Sequence, residues 1–191
     1  MPLPPEDPRE LLGGRRIECR GYSRADGLIE VEGQLVDTKG HEHAYGWRDP
    51  VPAGSPIHDM RVRIAFDEQL VIREIHESTD SAPFPICRAI APNLQRLVGV
   101  RIAGGFKKEM RARVGRTDGC THVVTLIDAL ADAAVQALAS HVRERGKDAV
   151  VGVYGVRDPN RPPLIDSCHA YAATSPVVES KWPEYYRGPP G

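Results

Sequence analysis

The stretch Ile57-His58-Asp59-Met60-Arg61-Val62-Arg63-Ile64-Ala65-Phe66 decides the fold. Met60, Val62, Ile64 and Phe66 alternate onto one face, the period of a half-buried strand. His58 falls on that same apolar face at the strand's start. Asp67-Glu68 turns the chain, and Gln69 to Glu77 returns as the antiparallel partner.

The same period recurs upstream. From Leu28 to Lys39, the residues Ile29, Val31, Gly33 and Leu35 point one way and Glu30, Glu32 and Gln34 the other. Arg15 to Tyr22 is a shorter strand with Ile17 and Cys19 on one face, joined through an Asp26-Gly27 turn. The connection from Gly40 to Ser55 holds His41, His43 and Trp47. The His41-x-His43 pair invites a metal reading, but an exposed polar loop is favoured because no third ligand lies nearby.

Downstream the period changes. Ile86 to Ile90 and Asn93 to Val98 read as short helices separated by Pro92. Val100 to Gly105 is a loop or short strand, and Phe106 to Val114 a basic amphipathic helix. Then Val123, Leu126, Ile127, Leu130, Ala134, Leu138 and Val142 draw one stripe along a long helix. Asp118 or Thr121 caps its start, and Arg143, Arg145 and Gly146 suit its end. Ala149 to Val156 is a candidate last strand, followed by a turn from Asp158 to Pro163. The expected fold is α+β, an antiparallel sheet with helices packed on one face and a C-terminal extension. Residues 1–14 read as a tail, 15–186 as a single domain and 187–191 as a second tail.

The totals narrow the function. A formal net charge of −1 with acids and bases interspersed argues against nucleic acid as a partner. No apolar run reads as a membrane span, and the acidic, proline-rich start does not read as a secretory signal. Cys19, Cys87, Cys120 and Cys168 form no CxxC pair, so a cytoplasmic protein with reduced thiols is expected.

Chemistry concentrates at Asp118-Gly119-Cys120-Thr121-His122, where a thiol and an imidazole open the long helix. Unpaired N–H groups at a helix start favour thiolate. Cys87 opens another helix and His58 a strand. Layered packing can bring these ends together, and two thiolates with two imidazoles suit tetrahedral Zn2+ or Fe2+. The expected ligands are therefore Cys87, Cys120, His122 and His58, with Cys168 and His169 as further candidates. His58 and Asp59 are the candidate acid–base pair, although strand alternation points Asp59 to the opposite face. Arg88, Arg101, Arg111 and Arg113 either grip an anionic substrate or form a solvated face.

From Arg15 to about Tyr186, the phrases Gly21-Tyr22-Ser23-Arg24-Ala25-Asp26-Gly27, Val31-Glu32-Gly33, Asp37-Thr38-Lys39, Ile57-His58-Asp59-Met60, Gly119-Cys120-Thr121-His122 and Asp166-Ser167-Cys168-His169 resemble an uncharacterised bacterial domain family with a Gly-Cys-Thr-His signature. That resemblance implies no activity. Residues 57–140 also resemble, remotely, the iron–sulfur cluster assembly scaffold fold. Cys87-Arg88-Ala89-Ile90-Ala91 stands at that family's second cysteine and Cys120-Thr121-His122 at its third. Its first cysteine has no match, His58 being nearest, and its His-Cys order is reversed here. The resemblance thus implies a single Zn2+ or Fe2+ ahead of an iron–sulfur cluster.

Three functions follow. One is a metal-dependent hydrolase, dephosphorylation included, or a lyase acting on a small acidic or aromatic metabolite. Another is a non-catalytic metal or iron–sulfur carrier, or an accessory subunit of a larger catabolic enzyme, with homo-oligomers allowed. The third is a metal-free enzyme with Cys120 as nucleophile and His122 as base, weakened because residues two apart diverge around a helix.

Overall fold

The computed structural model describes residues 3–46, 48–145, 161–162 and 164–189. Four antiparallel strands, β1 (Gly13–Ser23), β2 (Ile29–Lys39), β3 (Pro56–Phe66) and β4 (Ile72–Ser81), form one open sheet in the order β1-β2-β3-β4. The β1–β2 turn needs glycine: Gly27 has φ 89°, and the Arg24 N–H closes it on the Leu28 carbonyl at 2.9 Å. At the β3–β4 turn, Asp67 accepts from the N–H groups of Gln69 at 2.9 Å and Val71 at 3.0 Å. Leu70 takes a left-handed φ of 62° there, held because its side chain is 1% exposed.

Two α-helices follow, α1 (Phe106–Val114) and α2 (Thr121–Glu144), with a short α3 (Pro176–Lys181) near the C-terminus. The expected stripe on α2 is the buried one, from Val123 to Val142. It packs on the inner faces of β1 and β2. Two glycines set how close it comes. A Cβ on Gly33 would sit 2.8 Å from Leu126 Cδ1, and one on Gly21 would sit 2.7 Å from Ala137 Cβ. Ile29, Val31, Leu35, Met60, Ile64 and Phe66 fill the core beneath, while Arg61, Arg63 and His76 stay exposed on the uncovered face. By length and composition α2 is also, among the described residues, the one helix able to cross a membrane. Its apolar stripe is instead packed on this sheet.

The region around Pro92 departs from expectation. Pro85–Leu97 is one continuous 3-10 run with Pro92 inside it, not two helices. Its contacts explain this. Leu94 and Leu97 are buried, and Gln95 and Arg88 donate to the β4 carbonyls of Ile75 at 2.8 Å and Thr79 at 2.9 Å. The run thereby covers the β4 edge. Residues 99–102 also pair with the start of β4, through Gly99 N–H to Ile72 O at 2.8 Å and Ile102 N–H to Leu70 O at 2.8 Å. At the C-terminus, Ile165, Ala173 and Val178 form a second small cluster with Trp182 and Tyr185 against it. The expected strand from Ala149 to Val156, Gly146 at the helix end, Trp47 and most of the Asp158–Pro163 turn lie outside the described residues.

Candidate functional site

One end of the sheet collects the polar groups. The inward alternation of β2 runs Ile29, Val31, Gly33, Leu35 and then Asp37, so a carboxylate stands where the pattern calls for an aliphatic side chain. Across the sheet Asp37 faces Arg15 of β1 and His58 of β3. The first turn of α2 brings His122 over them.

The geometry centres on Asp37. Arg15 grips it with two parallel bonds, Nε to Oδ1 and Nη2 to Oδ2, each 2.7 Å. His58 Nδ1 lies 3.0 Å from Oδ2, and His122 Nε2 lies 3.6 Å from the same oxygen. The two imidazoles stack with centroids 3.7 Å apart. Burial pushes the Asp37 carboxyl up, but the Arg15 guanidinium and both histidines outweigh it and hold the group below the usual carboxylate range. Burial also pushes the His58 imidazole down, with His122 adding to the effect and Asp37 opposing it. Among the described residues Asp37, His58 and His122 form a group whose ligand atoms lie within 4.8 Å of one another, a spacing suited to one metal ion.

Cys120 joins the edge of this group. Its Sγ lies 3.5 Å from His122 Nδ1, on the side of the ring away from Asp37. The helical-wheel objection to this pair fails because Cys120 precedes α2 in extended backbone, φ −118° and ψ 132°. Burial raises the thiol, yet His122 and the N–H dipoles of Val123 and His122 bring it below its ordinary value. The residue before the first helical turn is thus Cys120. Asp118 is engaged elsewhere, with its carbonyl accepting from Asn93 at 2.9 Å and its carboxylate 3.2 Å from Arg96.

The other expected site residues are dispersed. Cys87 sits half-buried against the core, outside the Asp37–His58–His122 group. Asp59 points to the opposite face of β3 and accepts from Gln34 Nε2 at 2.7 Å. Cys168 is exposed, and His169 opens a short 3-10 turn near the C-terminus. His43 pairs edge-on with Tyr45. Arg88 and Arg101 donate to backbone carbonyls, Arg111 pairs with Asp128 and Arg113 with Glu109. Asp37 stands in one of the family phrases, Asp37-Thr38-Lys39, but not among the expected site residues. The signal was its place on the buried parity of β2, one step beyond Leu35.

Residues 14–136 match the family described as a protein of unknown function (DUF2889), and the chain belongs to that family. The matched span contains Arg15, Asp37, His58, Cys87, Cys120 and His122, and stops short of Cys168 and His169. No curated protein and no solved structure matches the chain.

Proposed function

We propose that this chain binds one divalent ion, Zn2+ or Fe2+, through Asp37, His58 and His122. Held there, such an ion would lower the pKa of a bound water and so supply hydrolysis or lyase chemistry on a small acidic or aromatic molecule. The supporting observation is that two imidazole nitrogens converge on one carboxylate oxygen, at 3.0 and 3.6 Å. Metal–ligand bonds of about 2.0–2.2 Å at right to tetrahedral angles put donor atoms about 2.8–3.6 Å apart. Asp37, His58 and His122 would hold the ion, and Arg15 would stay on the Asp37 carboxylate as its outer partner. Free thiols at all four cysteines fit a reducing, cytoplasmic setting.

Elemental analysis of protein purified without an affinity tag tests the reading. One ion per chain is expected, lost in His58→Ala and His122→Ala. Protein that carries no ion and takes up neither Zn2+ nor Fe2+ ends it. Metal-loaded protein that turns over no aryl phosphate or aryl ester removes the hydrolytic reading. A second reading, Cys120 as a metal-free nucleophile with His122 as base, rests on the 3.5 Å separation of Sγ and Nδ1. It requires that iodoacetamide alkylate Cys120 of metal-free protein faster than it alkylates Cys168.

A further inference from the structure

We infer that Cys120 is a positioning residue for the metal site, and that the ion's ligands are oxygen and nitrogen with sulfur kept outside. The inference rests on the metal reading above and names the ligand set within it.

Two distances carry it. His122 turns Nε2 toward Asp37, 3.6 Å away, and Nδ1 toward Cys120 Sγ, 3.5 Å away. The two ring nitrogens face apart, so the ion and the sulfur occupy opposite edges of one imidazole. An ion about 2.1 Å from Nε2 stays well beyond the roughly 2.3 Å of a Zn–S bond to that sulfur. Cys120 is accordingly not part of the Asp37–His58–His122 group.

The proton follows from the ligand bond. Once the Nε2 lone pair is committed to the ion, the single ring proton of neutral His122 resides on Nδ1. Nδ1–H then donates to Cys120 Sγ, which fixes the tautomer and the ring plane as a carboxylate or carbonyl does at other metal-bound histidines. Cys120 stands in extended backbone ahead of α2, φ −118° and ψ 132°, which places its sulfur beside the His122 ring of the first helical turn. Stacking against His58, with centroids 3.7 Å apart, restrains the remaining ring motion. Three protein ligands leave a coordination position open, which suits a water-activating centre better than a closed structural one.

Co2+ alone is the probe, added to untagged, metal-free full-length protein. The expected spectrum has d–d bands and lacks a near-ultraviolet sulfur-to-cobalt charge-transfer band. Cys120→Ala weakens Co2+ binding by about 10- to 100-fold, the usual effect of losing an outer partner. Cys120→Ser, which keeps an acceptor, restores most of it, and thermal unfolding of both metal-free variants controls for folding. A charge-transfer band in the wild-type protein, from whichever cysteine, overturns the sulfur-free ligand set while leaving the metal reading standing. Unchanged affinity in Cys120→Ala, or equal loss in the Ser and Ala variants, overturns the positioning role. Failure of the wild-type protein to bind Co2+ at all defeats the metal reading and this inference with it.

Discussion

Replacing Asp37 with Asn keeps the side chain's shape and removes its charge from among Arg15, His58 and His122. Two separate losses follow. The first is metal-independent. The Asp37 side chain is 10% exposed but Arg15 is 42% exposed, so water screens the pair from one side. Exposed pairs contribute about 0–1 kcal/mol, and breaking a fully buried one costs about 3–5 kcal/mol. This half-screened bidentate pair should fall between them, at about 1–2 kcal/mol by the same reasoning. The second loss appears only with metal. If the proposed site binds zinc, the ion at a hundredfold its Kd would stabilise the folded wild-type chain by about 2.7 kcal/mol, raising Tm by about 5–10 °C. A ligand set weakened a hundredfold is half-saturated at that concentration, and the gain shrinks to about 0.4 kcal/mol, or roughly 1 °C. Differential scanning calorimetry of both proteins, in a chelator and in buffered zinc, separates the two effects. An equal zinc-induced rise in Asp37→Asn and wild type would refute the assignment of this carboxylate as a ligand.

Further expectations concern acid, packing and the remaining thiol. His58 is held below its ordinary value of 6.5, so falling pH protonates the unfolded chain first and stability declines below about pH 6.5. Asp37, also depressed, adds a second decline below its ordinary 3.8, as pH falls through the folded-state value. Urea midpoints of metal-free protein should therefore drop from pH 7 to 5, and drop less in His58→Gln; a midpoint that rises over that range contradicts the placement. Gly21→Ala puts a methyl 2.7 Å from Ala137 Cβ, which is fixed to the helix backbone and cannot rotate away. Overpacking of this kind costs about 1–3 kcal/mol and exceeds the strand preference for Ala over Gly, about 0.5–1 kcal/mol. Chemical denaturation should show net loss, with positive coupling to Ala137→Gly in a double-mutant cycle. Cys87→Ala should keep its full complement of metal by elemental analysis, because Cys87 lies outside the Asp37–His58–His122 group.

The hairpin of β3 and β4 and the stripe on α2 were legible because each is a local periodicity, needing only a residue and its near neighbours. His58 was legible for the same reason, lying on the parity of Met60 and Val62. Asp37 was not. Its importance comes from pairing with Arg15 and His58 at separations of 22 and 21 residues, and register between strands is set by turns and bulges that no single strand announces. Cys120 and His122 were recognised as a pair, but their geometry depends on one residue remaining extended while the other is helical. The run through Pro92 was misread because side-chain bonds to the β4 edge, absent from any local window, override helix propensity.

The close seating of α2 on Gly21 and Gly33 has a consequence for how the molecule assembles. Asp37 and His58 arrive with the sheet, whereas His122 arrives only when the helix lands. A partly collapsed chain with its hairpins made and α2 still loose offers only two of the three proposed donors. On the proposed metal reading, capture of the ion would therefore report completed tertiary docking, and lifting α2 from Gly21 and Gly33 would separate His122 from the other two donors while the strands stay paired.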